Sequence, residues 1–365
     1  MQARIARIEH LDAVAYDIPT DAPEADGTLS WNSTQMVIVH ATGGGETGLG
    51  YSYCHVSAAE LIRSELAEIV CGRDAMAVAG ATRAMLQAVR NIGRPGLAAM
   101  AVSAVDVALW DLKARLLGLP LFRLLGAVRA AVPVYGSGGF TSYSPDRLQE
   151  QLSGWVEEGI SRVKMKVGSR PGDDPDRVRL ARQAIGPEPE LFVDANGAYE
   201  RKQALALAEI FAAQGVSWFE EPVTSDDLDG LRLMRDRAPA GMAIAAGEYG
   251  FGPHYFRRML EAGAVDVLQA DGTRCGGVSG VLQAGALCEA YGMPLSAHCA
   301  PSLHAHLCCA LPAARHVEYF HDHARIEHML FEGALTPVGG ELRPDANRPG
   351  LGLALRPAEA RRYAA

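Results

Sequence analysis

The chain is 365 residues long, 48% hydrophobic and 21% charged, with a formal net charge of −9 at pH 7. This is a globular composition with length enough for a barrel of about 250 residues plus a second domain, and the acidic balance argues against nucleic acid as a partner. No apolar run approaches the roughly 18 residues of a bilayer span, and residues 1–10 lack the apolar core of an export signal, so a cytoplasmic location with no membrane partner is expected.

In chain order, a β-rich run at 36–39 followed by Gly43-Gly44-Gly45 and Gly48-Leu49-Gly50-Tyr51 predicts a hairpin over 35–52. Apolar residues three and four apart then predict helices over 57–70, 81–93 and 100–117, the last stopped by Gly118-Leu119-Pro120. From Val132 the pattern changes to short apolar runs separated by amphipathic helices. Eight such strands are predicted: 132–136, 163–167, 191–194, 218–220, 244–248, 265–271, 294–298 and 317–319. Eight βα units imply an α/β fold, a closed (β/α)₈ TIM-type barrel. After Arg325 the chain becomes rich in proline and glycine, as an irregular tail laid over another domain would be. Seven cysteines without a C-x-x-C pair argue against a disulfide framework or a thiolate zinc site, and most read as buried thiols.

Nearly every predicted barrel strand ends in an ionisable residue, at the end where barrels build active sites. These are Lys166, Asp194, Glu220, Glu248, Asp271, His298 and Glu318, spaced by 20 to 28 residues. Any one alone reads equally well as a strand emerging into solvent. The ordered series at the βα spacing points to one shared mouth. Asp194, Glu220 and Glu248 come from consecutive strands, and three carboxylates brought together repel one another unless a cation neutralises them. All-oxygen ligation with room for water suits Mg²⁺, with Mn²⁺ as a substitute.

Lys164 and Lys166 lie two residues apart on one strand and share a face. Crowding two ammonium groups is expected to depress at least one pKa and so supply a general base. The alternative is that one pairs with a carboxylate and the other supports the metal site. Only four of the thirty-four cationic residues are lysines, which favours the catalytic reading of this pair. Asp271 and His298 end adjacent strands and form an expected dyad, in which the carboxylate raises the basicity of the imidazole. Glu318, if protonated, is placed to donate a hydrogen bond to a developing oxyanion. Tyr135 and Ser137 close the first strand beside Gly136, Gly138 and Gly139, where a hydroxyl and exposed amides would meet a substrate oxygen; the glycines read equally as a turn.

These motifs together resemble the enolase superfamily, specifically its mandelate racemase-like branch, over essentially the whole chain. The helix containing Ser103 to Arg115 is similar to the last helix of that family's capping domain. Lys164-Met165-Lys166 matches its K-x-K strand, Asp194-Ala195-Asn196, Glu220-Glu221-Pro222 and Gly247-Glu248 its three metal-ligand motifs, Asp271 and His298 its dyad, and Glu318 its strand-eight glutamate. The resemblance implies an α+β cap over residues 1–128, with the tail 326–365 packing on it, above a catalytic barrel over 129–325. It implies that 21–31 is the mobile part of the cap, that Asn196, Trp31 and His321 join Tyr135 and Ser137 at the substrate, and that the protein forms a homo-oligomer. It also implies Mg²⁺-stabilised formation of an enediolate after abstraction of the proton next to a carboxylate. The muconate-cycloisomerase and dipeptide-epimerase branch places a lysine on strand six; here no lysine lies beyond Lys202, which disfavours it.

Bases on both faces, Lys166 and His298, permit two outcomes: racemisation or epimerisation of a 2-hydroxy acid, or expulsion of a β-hydroxyl with His298 as general acid. Dehydration of a sugar acid to a 2-keto-3-deoxy acid is the preferred expectation, the reaction of a magnesium-dependent lyase. It is the commoner activity among relatives with this dyad, and a polar cluster of His316, Glu318, His321, Asp322, His323 and Arg325 suits a polyhydroxylated ligand; the cluster reads equally as a salt-linked domain contact. A non-catalytic protein that binds metal and acid predicts a missing member of the series, and none is missing. A transition-metal hydrolase would need histidines near the early strands, and none occurs between His55 and His254.

Overall fold

The computed structural model describes residues 6–365, so residues 1–5 of the N-terminal stretch lie outside it. The first layer is an antiparallel sheet of β1 (His10–Ala25), β2 (Ser30–Gly43) and β3 (Glu46–Ser52). The hairpin of β2 and β3 lies where its glycines predict it. The long β1 was not expected: its inward positions include the small residues Ala13 and Ala15, and Pro19 and Pro23 interrupt its later half. The predicted helix over 57–70 runs throughout, with a wider π turn at Ile62–Leu66.

The helix Leu97–Leu116 packs across this sheet with no room to spare. A Cβ at Gly48 would lie 2.2 Å from the Ala108 carbonyl oxygen, and one at Gly50 2.2 Å from that of Ala104. The alternating glycines of β3 therefore admit a helix backbone. Val37, Val39, Ala41, Leu109 and Leu112 are buried between the sheet and this helix.

The second layer is the barrel: β4 (Val132–Gly138), β5 (Arg162–Lys166), β6 (Glu190–Asp194), β7 (Val216–Glu220), β8 (Ala243–Ala246), β9 (Val267–Ala270), β10 (Leu295–Ala297) and β11 (Ala314–Phe320). Each strand is parallel to its neighbour, and β11 pairs with β4 to close the ring. A helix follows every strand, from Pro145–Glu157 after β4 to His321–Leu330 after β11. The expected boundary at residue 325 falls inside this eighth helix, so the barrel runs on to Leu330.

Beyond it the tail ties the layers together rather than covering the cap alone. Glu341 and Leu342 pair antiparallel with Pro133 and Val132 at the start of β4. The Leu351 amide donates to Asp111 of the cap helix at 2.6 Å, and the Ala365 amide donates to the Ala15 carbonyl at 3.0 Å. Among the described residues, no helix is long and apolar enough to cross a membrane.

The far ends of β1 and β2 extend past the sheet as a two-stranded arm, with Glu24 opposite Trp31. The segment 21–31, expected as the mobile part of the cap, is here seated on the barrel mouth. The Thr141 amide donates to the Ala25 carbonyl at 2.8 Å, the Ser142 hydroxyl donates to the Pro23 carbonyl at 2.7 Å, and Asp21 pairs with Arg147 at 3.2 Å.

Candidate active site

Side chains alternate along a strand, so the inward face of each barrel strand is set by residues two apart. The last inward position places Lys166, Asp194 and Glu220 at the rims of β5, β6 and β7, while Glu248, Asp271 and His298 lie one or two residues past β8, β9 and β10. All six are buried, as is Glu318 on β11. The structure thus brings the whole predicted series into one mouth.

Oxygens of Asp194, Glu220 and Glu248 lie within 4.8 Å of one another. Burial and the Asp194 carboxylate push Glu220 up to about 8, and burial with Glu248, Asp194 and Glu220 holds the neighbouring Glu221 well above the usual carboxylate range. Glu248 Oε2, Glu221 Oε1 and Asn196 Oδ1 are buried without a hydrogen-bond partner. An excess of buried negative charge with orphaned carboxylate oxygens is the environment that a hard divalent cation relieves, so the residues fit one.

The lysines counter part of that charge. Lys164 Nζ lies 2.7 Å from both Glu220 oxygens and 2.7 Å from Glu318 Oε1, and Lys166 Nζ bonds Asp194. Their expected pKa depression is corrected here. Burial lowers both, but Glu220, Glu318 and Asp194 outweigh it at Lys164, and Asp194 does so at Lys166, so both stand above the ordinary lysine value.

On the other side of the mouth, His298 Nδ1 bonds Asp271 Oδ2 at 2.9 Å, the expected dyad contact. Burial opposes a charged imidazole, yet Glu248, Glu318 and Asp271 raise its pKa above the usual histidine range. Glu318 departs from the expectation of a protonated donor. Burial alone would raise it, but Lys164 and His298 hold it well below the usual carboxylate range. It accepts hydrogen bonds from the Ser137 hydroxyl at 2.6 Å and the Cys299 amide at 3.0 Å. It is therefore an anionic anchor.

The expected substrate contacts divide. Asn196, with φ of 46°, turns just after Asp194 and its amide donates to the Asp194 carboxylate. Trp31 donates from Nε1 to Glu24 at 2.8 Å and meets Phe140 edge-on, and His321 Nε2 lies 3.1 Å from Asp21, so both sit where the arm meets the mouth. Ser137 is fully buried against Glu318. Tyr135 is a correction: it lies one inward position below the mouth, fully buried among Phe192, Trp218 and His316. The polar cluster of the last strand disperses in the same way. His316 faces this interior, His323 stacks on Tyr53, Asp322 bonds Thr34, and Arg325 donates to the Pro19 carbonyl, so most of the cluster grips the cap.

Three mouth residues were missed. Arg274 lies 3.4 Å from both Glu248 and Asp271 and joins the two halves of the site; its signal was its place three residues past Asp271. Glu221 stood inside the quoted Glu-Glu-Pro motif. Cys299 had no signal but its neighbour His298. Asn196, Glu221, Cys299 and Ala300 are the non-glycine residues with positive φ among the described residues, and all follow strand ends at this mouth. Such backbone strain collects at functional sites.

Residues 13–126 match the model of the mandelate racemase / muconate lactonizing enzyme N-terminal domain, and residues 147–360 match that of the enolase C-terminal domain-like family. The chain belongs to the mandelate racemase-like branch of the enolase superfamily. A protein of this branch from Rubrobacter xylanophilus, described as mandelate racemase/muconate lactonizing enzyme-like, superposes with a TM-score of 0.97 at 58% identity, covering 98% of this chain and all of that one. A racemase from Streptomyces coelicolor, solved with bound magnesium, gives a TM-score of 0.92 at 29% identity over 98% and 100% of the two chains. Among enzymes of known activity, L-talarate/galactarate dehydratase of Salmonella typhimurium is 31% identical over 86% of this chain and 81% of its own. The 3,6-anhydro-alpha-L-galactonate cycloisomerase of Streptomyces coelicolor is 33% identical over 95% and 97%. The chain is an enzyme of this superfamily.

Proposed function

We propose that this enzyme abstracts the proton α to the carboxylate of a sugar acid and eliminates the β-hydroxyl as water, leaving a 2-keto-3-deoxy acid. The observation that carries the reading is the facing arrangement of Lys166 and His298 across Asp194, Glu220 and Glu248. β5 lies on one side of the three carboxylate strands, and β9 and β10 lie on the other. Mg²⁺ held by these carboxylates supplies the positive charge that stabilises the anion formed when the α-proton leaves.

Lys166 takes that proton at Nζ. Its raised pKa comes from Asp194, Glu248 and Glu220, whereas burial and Lys164 lower it. A divalent cation on those carboxylates would offset most of their charge and so weaken what raises the Lys166 pKa, favouring the neutral amine that acts as base. His298 gives its Nε2 proton to the departing β-hydroxyl, with Asp271 fixing the ring through Nδ1. The enol left behind tautomerises to the ketone. Lys164 and anionic Glu318 hold the substrate end of the mouth, and the arm carrying Trp31 excludes water from above. The similarity to the L-talarate/galactarate dehydratase of Salmonella typhimurium supports this reading.

The test is incubation of Mg²⁺-loaded protein with hexonic, pentonic and dicarboxylic sugar acids in D₂O, followed by proton NMR, with Lys166→Ala and His298→Asn alongside. A deoxy-keto product that both variants fail to make is the expected result. Exchange or epimerisation at the α-carbon without water loss would replace dehydration by racemisation at the same two groups.

A further inference from the structure

We infer that His298, Cys299 and Glu318 form a second metal site, distinct from the three-carboxylate site and selective for a thiophilic divalent cation of the Zn²⁺ class. Consecutive residues leaving a strand ordinarily point to opposite faces. Here the left-handed backbone of Cys299 (φ 55°) and Ala300 (φ 40°) folds the thiol back over the same mouth as His298. Cys299 Sγ lies 3.3 Å from His298 Nε2 and 3.5 Å from Glu318 Oε2, and His298 Nε2 lies 3.7 Å from Glu318 Oε2. Tetrahedral zinc, with bonds of about 2.0–2.3 Å to nitrogen, oxygen and sulfur, requires ligand atoms about 3.3–3.6 Å apart. The triad is nearly at those separations.

A further observation points to an ion. His298 Nδ1 is held by Asp271 at 2.9 Å, which in the neutral ring leaves the lone pair on Nε2, facing the triad; carboxylate, histidine and metal in series is a recurrent arrangement at zinc sites. Glu248 Oε2, from the three-carboxylate site, lies 3.4 Å from the same Nε2, so the two sites adjoin and the fourth position on the thiophilic ion is left to water. Binding displaces the thiol proton, and the Nε2 proton of a charged His298 ring, to solvent, forms the metal–sulfur and metal–nitrogen bonds and involves no redox change. Its consequence, which rests on the proposed function, is inhibition, because the cation takes the lone pair of the proposed acid and base His298.

The test uses Mg²⁺-saturated full-length protein titrated with Co²⁺ and followed by absorbance. Cobalt entering the oxygen-only site gives weak visible bands; a thiolate ligand adds an intense near-ultraviolet charge-transfer band. We expect that band in the wild type, its retention in Cys71→Ser, and its loss in Cys299→Ser with Zn²⁺ affinity reduced at least about 10-fold. Absence of the band in the wild type, or its survival in Cys299→Ser, overturns the inference. Should Cys299→Ser prove unfolded by circular dichroism, proton release decides: between about one and two protons per Zn²⁺, from the thiol and the His298 ring, in lightly buffered wild type supports the site, and none refutes it. The band reads a metal–sulfur bond and not turnover, so a protein that shows it but dehydrates no acid keeps this inference and loses the proposed function.

Discussion

The mouth of the barrel and its floor are built from the same strands, one inward step apart, yet they are chemically opposite. The pairs are Tyr135 and Ser137, Lys164 and Lys166, Phe192 and Asp194, Trp218 and Glu220, Gln269 and Asp271, Ser296 and His298, His316 and Glu318. The floor is mainly aromatic: Phe192 stacks on Trp218 at 5.1 Å, Tyr135 meets Phe192 at 5.5 Å, and burial holds His316 well below the usual histidine range, hence neutral. Lys164 is the exception, rising past the Tyr135 ring to reach Glu220 and Glu318 above. β8 breaks the two-residue step. Ala245 lies in the floor, Gly247 takes φ of 140°, and Glu248 follows. The difference teaches that a rigid apolar floor fixes the strand ends, so that charges crowded at the mouth cannot relax apart without unpacking the barrel.

The largest expected effect breaks the mouth alone. Lys166→Ala should lower α-proton exchange by about 10²- to 10⁴-fold, and a loss under tenfold by NMR would remove Lys166 from the chemistry. On the floor, Trp218→Ala should cost about 3–5 kcal/mol of stability, seen as a lower urea midpoint; an unchanged midpoint would mean that the floor does not hold the strands. It should also loosen Glu220, to which Trp218 Nε1 donates at 3.0 Å.

A buried carboxyl without a cation beside it sharpens the contrast. Burial pushes Glu327 up to about 7 from 4.5, and only Ser302 and Tyr51 hydrogen-bond to it. Because the unfolded chain ionises this group first, the contribution of Glu327 to stability should be fully present below pH 4.5 and be lost as pH rises through about 7, by about 3 kcal/mol in all. Chemical denaturation of Glu327→Gln should lose that share of the slope; an identical slope would assign it elsewhere. The smallest effect is at the irregular strand. A Cβ at Gly247 would lie 2.2 Å from the Gln269 carbonyl oxygen, so Gly247→Ala should cost about 1–3 kcal/mol. It should also blunt the rise in melting temperature produced by Mg²⁺, and an undiminished rise would show that Glu248 does not depend on this bend.

The eight strands and their terminal charges were legible because the signal is local: apolar runs recur at the βα spacing, and the residue that closes each run is a neighbour in sequence. β1 was missed because alanines and prolines mask its alternation, and its partner β2 supplies the pairing. Tyr135 was misplaced because sequence gives the face of a strand but not the depth along the barrel axis. Arg274 and Cys299 were missed because their importance comes from contacts with Glu248, Asp271, His298 and Glu318 that no spacing announces.

The sequence by itself determined the barrel, its cap and the order of ionisable groups around the mouth, since periods of two and of 20 to 28 residues are written into the chain. The tertiary structure decided their states. Lys164 and Lys166 are held charged and Glu318 is held ionised by groups from four different strands, the arm is seated by residues more than a hundred positions away, and the thiol of Cys299 is turned toward His298 by a strained backbone. Buried electrostatics depend on distance in space, and the folded barrel alone sets that distance.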